Sequence, residues 1–574
     1  MRRLMVHHPS AQRNAKVVGL LFLVITLPSL TETVIAEMPF PTHDWTYSYG
    51  TSWTQQDALG DALTAFSVDI NGNLLLAGGF GYGDETLPVA LSADFDPTLA
   101  TDRRTTAGLH DVDVVSLSPS GEYLRTLTFG GTGDDLAWGL VAFADGSVIV
   151  AGYFEAAVDF DPGPGVLSVT SAGGRDVFLS KFDSTGGHLW TRTFGAAGND
   201  HSFGLIRHPD GGVVVFGEYA GTVDFDPGPG VTERTAAGGS DVFFARFTDD
   251  GDLVSVTAFG GASSEHAHGL AVDERGAVFV AGEFAGTPDF DPGPGEALRT
   301  RVGSTDAFLA RYNADGTFAW VWTIGSPRQD VATDVKLSPL GEPIVVGLFG
   351  TSTDPIDFDP TDGTDPHRTT RTQEVFVTKL GPDLSYRWTR TTATNSYVYA
   401  NTLAVGANGI VVTGAGSGNT DFSPSEPTPH VLTLHGPEAY AWRLSPDGDF
   451  EWVFSFPRTS ATGGSNPIAA DFDPFGNLLL AGSFFGTCDF DPGATVATTA
   501  SLGGDDAFFV KLRGFHPCAD HDGDELVDLR DLAALFECFG GSSPGTNCTH
   551  FDFNENLRID AEDFAEFHDR LTGP

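Results

Sequence analysis

The stretch VDFDPGPG (158–165) returns as VDFDPGPG at 223–230 and as PDFDPGPG at 288–295. Looser copies complete the series. DFDP begins at 94, 159, 224, 289, 357 and 489, and DFSP at 421, with separations of 65, 65, 65, 68, 64 and 68 residues. A fixed period of this size is the signature of a solenoid, a propeller or an array.

Around each phrase the chain reads as four strands. In the second unit GLVAF (139–143) is followed by a DG turn and SVIVAGYF (147–154). After the phrase come DVFLSKF (176–182), STGG, and HLWTRTFG (188–195). Val, Phe and Thr dominate these runs and Gly and Asp bound them, which is strand-and-turn chemistry. No run keeps a helical period over ten or more residues. Each unit closes its second strand with a glycine (Gly78, Gly152, Gly217, Gly282, Gly347, Gly414, Gly482). Each opens its third with an acid (Asp111, Asp176, Asp241, Asp306, Glu374, Glu438, Asp506), always 17 residues after the first Asp of the phrase.

The two ends of the repeat decide the architecture. The last unit stops after its third strand, DAFFVKL (506–512), with no WTRTFG-like fourth strand behind it. The chain instead carries an orphan, WTYSYG (45–50), ahead of the first unit. Placed in the vacancy, it closes a ring and removes the exposed sheet edge that would invite aggregation. The expectation is an all-β, seven-bladed β-propeller with four-stranded blades and an N-terminal strand closing the last. Units such as FGGTGDDLAWGLVAFADGSVIVAGYF (129–154) resemble the bacterial propeller repeats of the SBBP type, over roughly residues 44–512.

In an extended segment side chains alternate faces. The phrase phenylalanines (Phe95, Phe160, Phe225, Phe290, Phe358, Phe422, Phe490) then point one way, as plugs between blades, and the aspartates the other. The aspartates have two readings: a repeated ion pair with the residue 22 positions on (Lys181, Arg246, Arg311, Lys379, Arg443, Lys511; Ser116 in the first unit), or a Ca²⁺ site in each blade.

The 31 Lys+Arg against 77 Asp+Glu give a net charge of −46, which disfavours nucleic acid and anionic membranes as partners. Arg2, Arg3, Arg13 and Lys16 precede the apolar run VVGLLFLVITL (17–27), too short to span a bilayer, and VIA (34–36) offers small residues for cleavage. Residues 1–36 therefore read as a signal peptide, 37–513 as the propeller and 514–574 as a separate domain. No later run is apolar enough for a membrane span, so the mature chain is expected to be secreted or at the cell surface. Of the four cysteines, Cys488, Cys518, Cys538 and Cys548, three fall in the last segment; Cys538 and Cys548 close the shortest disulfide loop.

That segment holds two Ca²⁺-type loops. DHDGDELVDLRD (520–531) puts ligands at Asp520, Asp522, Asp524, the Leu526 carbonyl, Asp528 and Asp531. DFNENLRIDAED (552–563) repeats this with Asp552, Asn554, Asn556, the Arg558 carbonyl, Asp560 and Asp563. Each runs into a short amphipathic helix. The duplicated loop-then-helix resembles a type I dockerin, a small α-helical module with two EF-hand-type loops. The resemblance implies a cohesin-like or envelope partner, chosen in part by Leu529, Arg530, Ala561 and Glu562.

For activity the sequence offers little. There is no GxSxG, HExxH or P-loop, so no catalytic residue is assigned. One irregular cluster, EHAH (265–268), admits a metal or acid–base reading beside the plainer one of a satisfied polar turn. The strand-four tryptophans Trp45, Trp190, Trp320, Trp388 and Trp452 either stack sugars or shield the outer strand. The expected function is a non-catalytic propeller scaffold or binding protein, assembled through a Ca-dependent C-terminus. The alternative is a carbohydrate-active enzyme or lectin using the propeller mouth.

Overall fold

The computed structural model describes residues 41–513, apart from 52–60, 70, 82–89, 99, 351–353, 370–372, 408, 474–475 and 494. The chain divides at Glu37/Met38, and residues 1–37 lie outside the described residues. The expected signal peptide, the two expected Ca²⁺-type loops and Cys518, Cys538 and Cys548 also lie outside the described residues.

Among the described residues all regular structure is β; 28 of the 34 strands form seven four-stranded antiparallel blades, and the other six are short strands outside them. Blade 2 is typical. Its inner strand Leu136–Ala142 turns through Asp145-Gly146 into Val148–Asp159; Ser168–Phe182 and the outer strand His188–Phe194 follow. Gly146 sits at φ 79°, where a Cβ would be strained, so the DG turn is a backbone requirement. Blades 1, 3, 4, 5 and 6 begin with Ala62–Val68, His201–Arg207, Glu265–Val272, Val331–Leu337 and Tyr397–Gly406. Inner strands neighbour one another in sequence order, and Arg458–Phe472 of blade 7 lies beside both Tyr397–Gly406 and Ala62–Val68, so the seven form a ring.

Closure is as the ends of the repeat demand. Thr42–Tyr49 pairs antiparallel with Asp506–Arg513, setting Trp45 opposite Lys511 and Tyr47 opposite Phe509. The Trp45 and Phe509 rings lie 5.7 Å apart.

The hydrophobic cores lie between blades. One joins Tyr47, Tyr49, Leu479 and Phe509 of blade 7 to Leu63, Leu76 and Phe80 of blade 1. All seven phrase phenylalanines are buried. Phe160 packs 5.7 Å from Phe129 on the outer strand of blade 1 and 5.4 Å from Phe178 of its own blade. Phe225 meets Phe194 and Phe290 meets Phe259 in the same way, at 5.2 and 5.4 Å. Backbone pairing reinforces the seam: Gly130 and Gly131 of blade 1 pair with Asp159 and Val158.

The phrase aspartates shape the loop. In blades 2, 3, 4 and 7 Oδ1 of the first (Asp159, Asp224, Asp289, Asp489) accepts from the backbone N–H groups two and eight residues on, at 2.8–3.2 Å. The second (Asp161, Asp226, Asp291, Asp491) accepts from a glycine N–H two residues on, at 2.7–2.8 Å. These are Asx turns, the local hydrogen bonding that makes Asp a turn residue.

The expected pairing with the base 22 residues on is not formed. Lys181 donates to the Asp249 carbonyl (3.1 Å), Lys379 pairs with Glu342 (3.0 Å), Lys511 with Asp473 (3.2 Å) and Arg443 with Glu451. Strand register is the reason. Lys181 lies opposite Ile149, near the start of the second strand, whereas Asp159 closes that strand's far end.

Candidate functional site

Buried carboxylates line five of the seven seams, in one repeated pattern. The acid opening the third strand (Asp111, Asp176, Asp241, Asp306, Asp506) accepts from the backbone N–H four residues before it, at 2.7–3.0 Å. A second acid opens the next blade's inner strand or stands just before it: Asp135, Asp200, Glu265, Asp330 and Asp61. It accepts from a connector N–H (Gly131, Ala196, Gly261, Ser326, Thr51) at 2.6–2.7 Å. The residue before each of those donors is a glycine, Gly130, Gly195, Gly260, Gly325 or Gly50. A Cβ there would lie 2.0–2.5 Å from the first acid's carboxyl group, so the glycine ending WTRTFG is a packing necessity.

The two acids of a seam thus flank one dipeptide. Oδ1 of Asp111, Asp176, Asp241 and Asp506 and Oε1 of Glu265 find no hydrogen-bond partner among the described residues. Burial pushes Asp61, Asp111, Asp176 and Asp330 up to about 6, Glu265 to about 7, and Asp135 and Asp506 to about 8. The neighbouring acid adds to this, Asp111 for Asp135 and Asp200 for Asp176. At the other two seams Glu374 meets the Thr394 N–H (3.2 Å) and Ser465 Oγ the Ala439 N–H (3.1 Å).

Each inner strand carries a β-bulge at the same repeat position, and the bulged residues are Thr64, Trp138, Phe203, His268, Thr333, Asn401 and Ile468. All seven line the central channel, a cavity of about 200 Å³. A bulge re-aims a side chain, so the frame repeats while the channel wall does not. Further along the wall stand Asp334, Lys336 and Asp471. Asp334 is buried and accepts from Val335 N (2.7 Å), Thr402 Oγ1 (2.7 Å) and Leu403 N (3.2 Å). Its carboxylate beside Lys336 holds that ammonium above the ordinary lysine range.

A polar arc runs along blades 1 to 5 at the end where the inner strands begin. His110 and Arg175 pair with Asp134 at 2.7 and 2.5 Å, and Tyr153 donates to Asp134 at 3.0 Å. Arg175 lies over the Tyr153 ring, 4.4 Å from its centre, and 3.4 Å from His201 Nε2. His266 pairs with Glu218 at 2.8 Å, and His268 stands 3.8 Å from Glu283. The Glu218 hydrogen bond raises His266. Burial opposes ionisation of Glu283, but hydrogen bonds from Thr305 and Gln329 and the nearby His268 hold it at about 2. His110 and Arg175 occupy the repeat position that in blade 6 holds Pro437, and Tyr153, Glu218 and Glu283 the one that holds Ala415.

The EHAH cluster therefore divides. Glu265 is a seam acid, while His266 and His268 belong to the arc, each backed by a glutamate. Among the described residues no group of three or more His, Cys, Asp or Glu has the geometry to hold a metal ion. The strand-four tryptophans shield neighbouring turns: Trp45 lies against Gly121, Trp190 against Gly251 and Trp388 against Gly448, and Trp320 donates to the Pro382 carbonyl at 3.0 Å. Cys488 is buried with a free thiol. The bulge ring was missed by sequence reading, although aligning DDLAWG, NDHSFG and SEHAHG on the seam acid exposes its varying third residue.

No family model matches the chain. A 214-residue stretch is 27% identical to the regulatory protein FlaEY of Caulobacter vibrioides, covering 36% of this chain and 21% of that protein. Among solved structures, the Neurospora crassa Pan2 WD40 domain aligns over 64% of this chain and 92% of its own, at 9% identity and a TM-score of 0.30. A DUF4221 member from Bacteroides vulgatus aligns over 65% and 92%, at 9% identity and a TM-score of 0.25. The sheet pairing and ring closure of the chain itself define its class, that of the β-propellers.

Proposed function

We propose that the chain is an exported, non-catalytic propeller that binds a macromolecule at its channel mouth and is attached through its C-terminal module. The observation that carries this reading is the division between frame and wall. Strands, seams and phrase loops repeat, whereas the seven bulged residues facing the channel comprise six residue types. Binding scaffolds vary the exposed positions of a rigid frame in this way. The acids of the EHAH region and its neighbours, Glu218, Glu265 and Glu283, are engaged by backbone or side-chain donors.

The C-terminal module supplies attachment: Ca²⁺ held by Asp520, Asp522, Asp524, Asp528 and Asp531, and by the second loop, folds a dockerin-like surface for a cohesin-like or envelope protein. The test is capture of envelope proteins by the full chain with and without Ca²⁺. Calcium-dependent capture lost on Asp520→Ala/Asp552→Ala supports the reading, and capture indifferent to both overturns the attachment. A second reading, a lectin or carbohydrate-active enzyme, is favoured by the non-equivalent polar arc from His110 to Glu283.

A further inference from the structure

We propose that the central channel is a subsite for one neutral terminal sugar residue, stacked on Trp138 and hydrogen-bonded by Lys336, Asn401 and Asp471. This rests on the reading of the channel mouth as the binding face and names its ligand class. Three observations point there.

The first is unspent hydrogen-bonding capacity. Lys336 makes no hydrogen bond or ion pair among the described residues, although it lies in the wall of the cavity. Asn401 spends its amide on Asn466 Oδ1 (2.7 Å) and the Pro467 carbonyl (2.6 Å), which leaves its own Oδ1 as an acceptor.

The second is the aromatic wall. Trp138 and Phe203 meet edge to face, with ring centres 6.2 Å apart and planes at 79°. Aromatic faces combined with a few placed polar groups define a small-ligand site. Sugar rings present one apolar face and hydroxyls that both donate and accept, which suits a wall offering the aromatic face of Trp138, a donor from Lys336 and acceptors from Asn401 and Asp471.

The third is charge. The charges of Asp334 and Asp471 both act on Lys336, and Asp334 is already satisfied by three donors. One ammonium facing two carboxylates leaves no excess positive charge for an acidic sugar, and the chain's −46 repels one further. The cavity of about 200 Å³ admits a single ring rather than a chain, so the ligand enters by its end.

The experiment is titration of the full chain with a panel of neutral monosaccharides, their methyl glycosides and the matching uronic acids, read by tryptophan fluorescence and calorimetry. Trp138→Ala, Lys336→Met and Asp471→Asn are run beside wild type, with Trp190→Ala as an outer-surface control. The expected result is saturable binding of a neutral sugar, weakened about tenfold or more by the channel variants and unchanged by the control. Failure of every neutral sugar to bind, tighter binding of a uronic acid, or binding that survives both Lys336→Met and Asp471→Asn overturns the proposal. Envelope capture by the same variants separates the two readings: capture lost with the channel variants while no sugar binds keeps the binding face and removes the saccharide.

Discussion

Replacing one seam acid with its amide should remove a defined part of the pH dependence of stability. Asp176 is 5% exposed and accepts from Ala172 N–H at 2.8 Å, while its Oδ1 is unpartnered and Asp200 lies across the seam. Burial first and Asp200 second raise its carboxyl from 3.8 to about 6. A raised carboxyl binds its proton more tightly in the folded state. Its contribution is therefore complete below about pH 4 and is lost as pH rises through about 6. A shift of about 2 units corresponds to about 3 kcal/mol at most, one pH unit being worth about 1.4 kcal/mol.

Asp176→Asn mimics the protonated acid and cannot ionise. Its oxygen can keep the Ala172 bond and its NH₂ can face Asp200. The variant should match wild type at pH 4.5 and exceed it at pH 8 by about 1–3 kcal/mol, the lower figure allowing for water reaching the seam. Urea unfolding of both proteins at the two pH values, followed by tryptophan fluorescence, measures this. The comparison cancels the general repulsion of a chain with charge −46, which also weakens as pH falls. A variant equally destabilised at both pH values would mean that Asp176 is ionised in the native seam, and the account of raised carboxyls in the five seams would fall.

Other expectations follow from the same geometry. Phe160→Ala, which empties a fully buried site between blades 1 and 2, should cost about 3–5 kcal/mol in the same unfolding assay. Gly195→Ala places a Cβ 2.5 Å from the Asp176 carboxyl and should lower the thermal midpoint, with recovery when combined with Asp176→Gly. Deleting residues 42–49 leaves Asp506–Arg513 as an open edge, and size-exclusion chromatography should show dimers or larger species in place of monomer. Chelation of Ca²⁺ should lower the calorimetric melting of the C-terminal module while leaving the propeller transition in place; identical traces would refute the two Ca²⁺ loops.

The repeat period, the strand pattern and the orphan WTYSYG were enough to reach a seven-bladed ring, because each is a local or counting property of the chain. The phrase phenylalanines were equally legible, since alternation in an extended segment fixes which side chain turns inward. The phrase aspartates were not paired correctly. Their spacing to Lys181 and its equivalents is regular, but spacing along a chain does not say which end of a blade a side chain occupies, and strand register sends the base away. The acids opening the third strands appeared in the sequence as seven isolated residues, without their partners across the seams. Only packing one blade against the next brings Asp176 beside Asp200 and raises both.

The channel site divides along the same line. His268 stood out as part of EHAH, and Trp138 did not, because its neighbours in sequence are ordinary strand residues. What joins Trp138, Lys336, Asn401 and Asp471 is the closed ring, which gathers residues up to 333 positions apart onto one wall. Sequence determined the unit and the number of units, since hydrogen-bonded strands and turns are specified by residues close together. Ring closure decided which side chains meet, since burial and charge coupling depend on neighbours supplied by other blades.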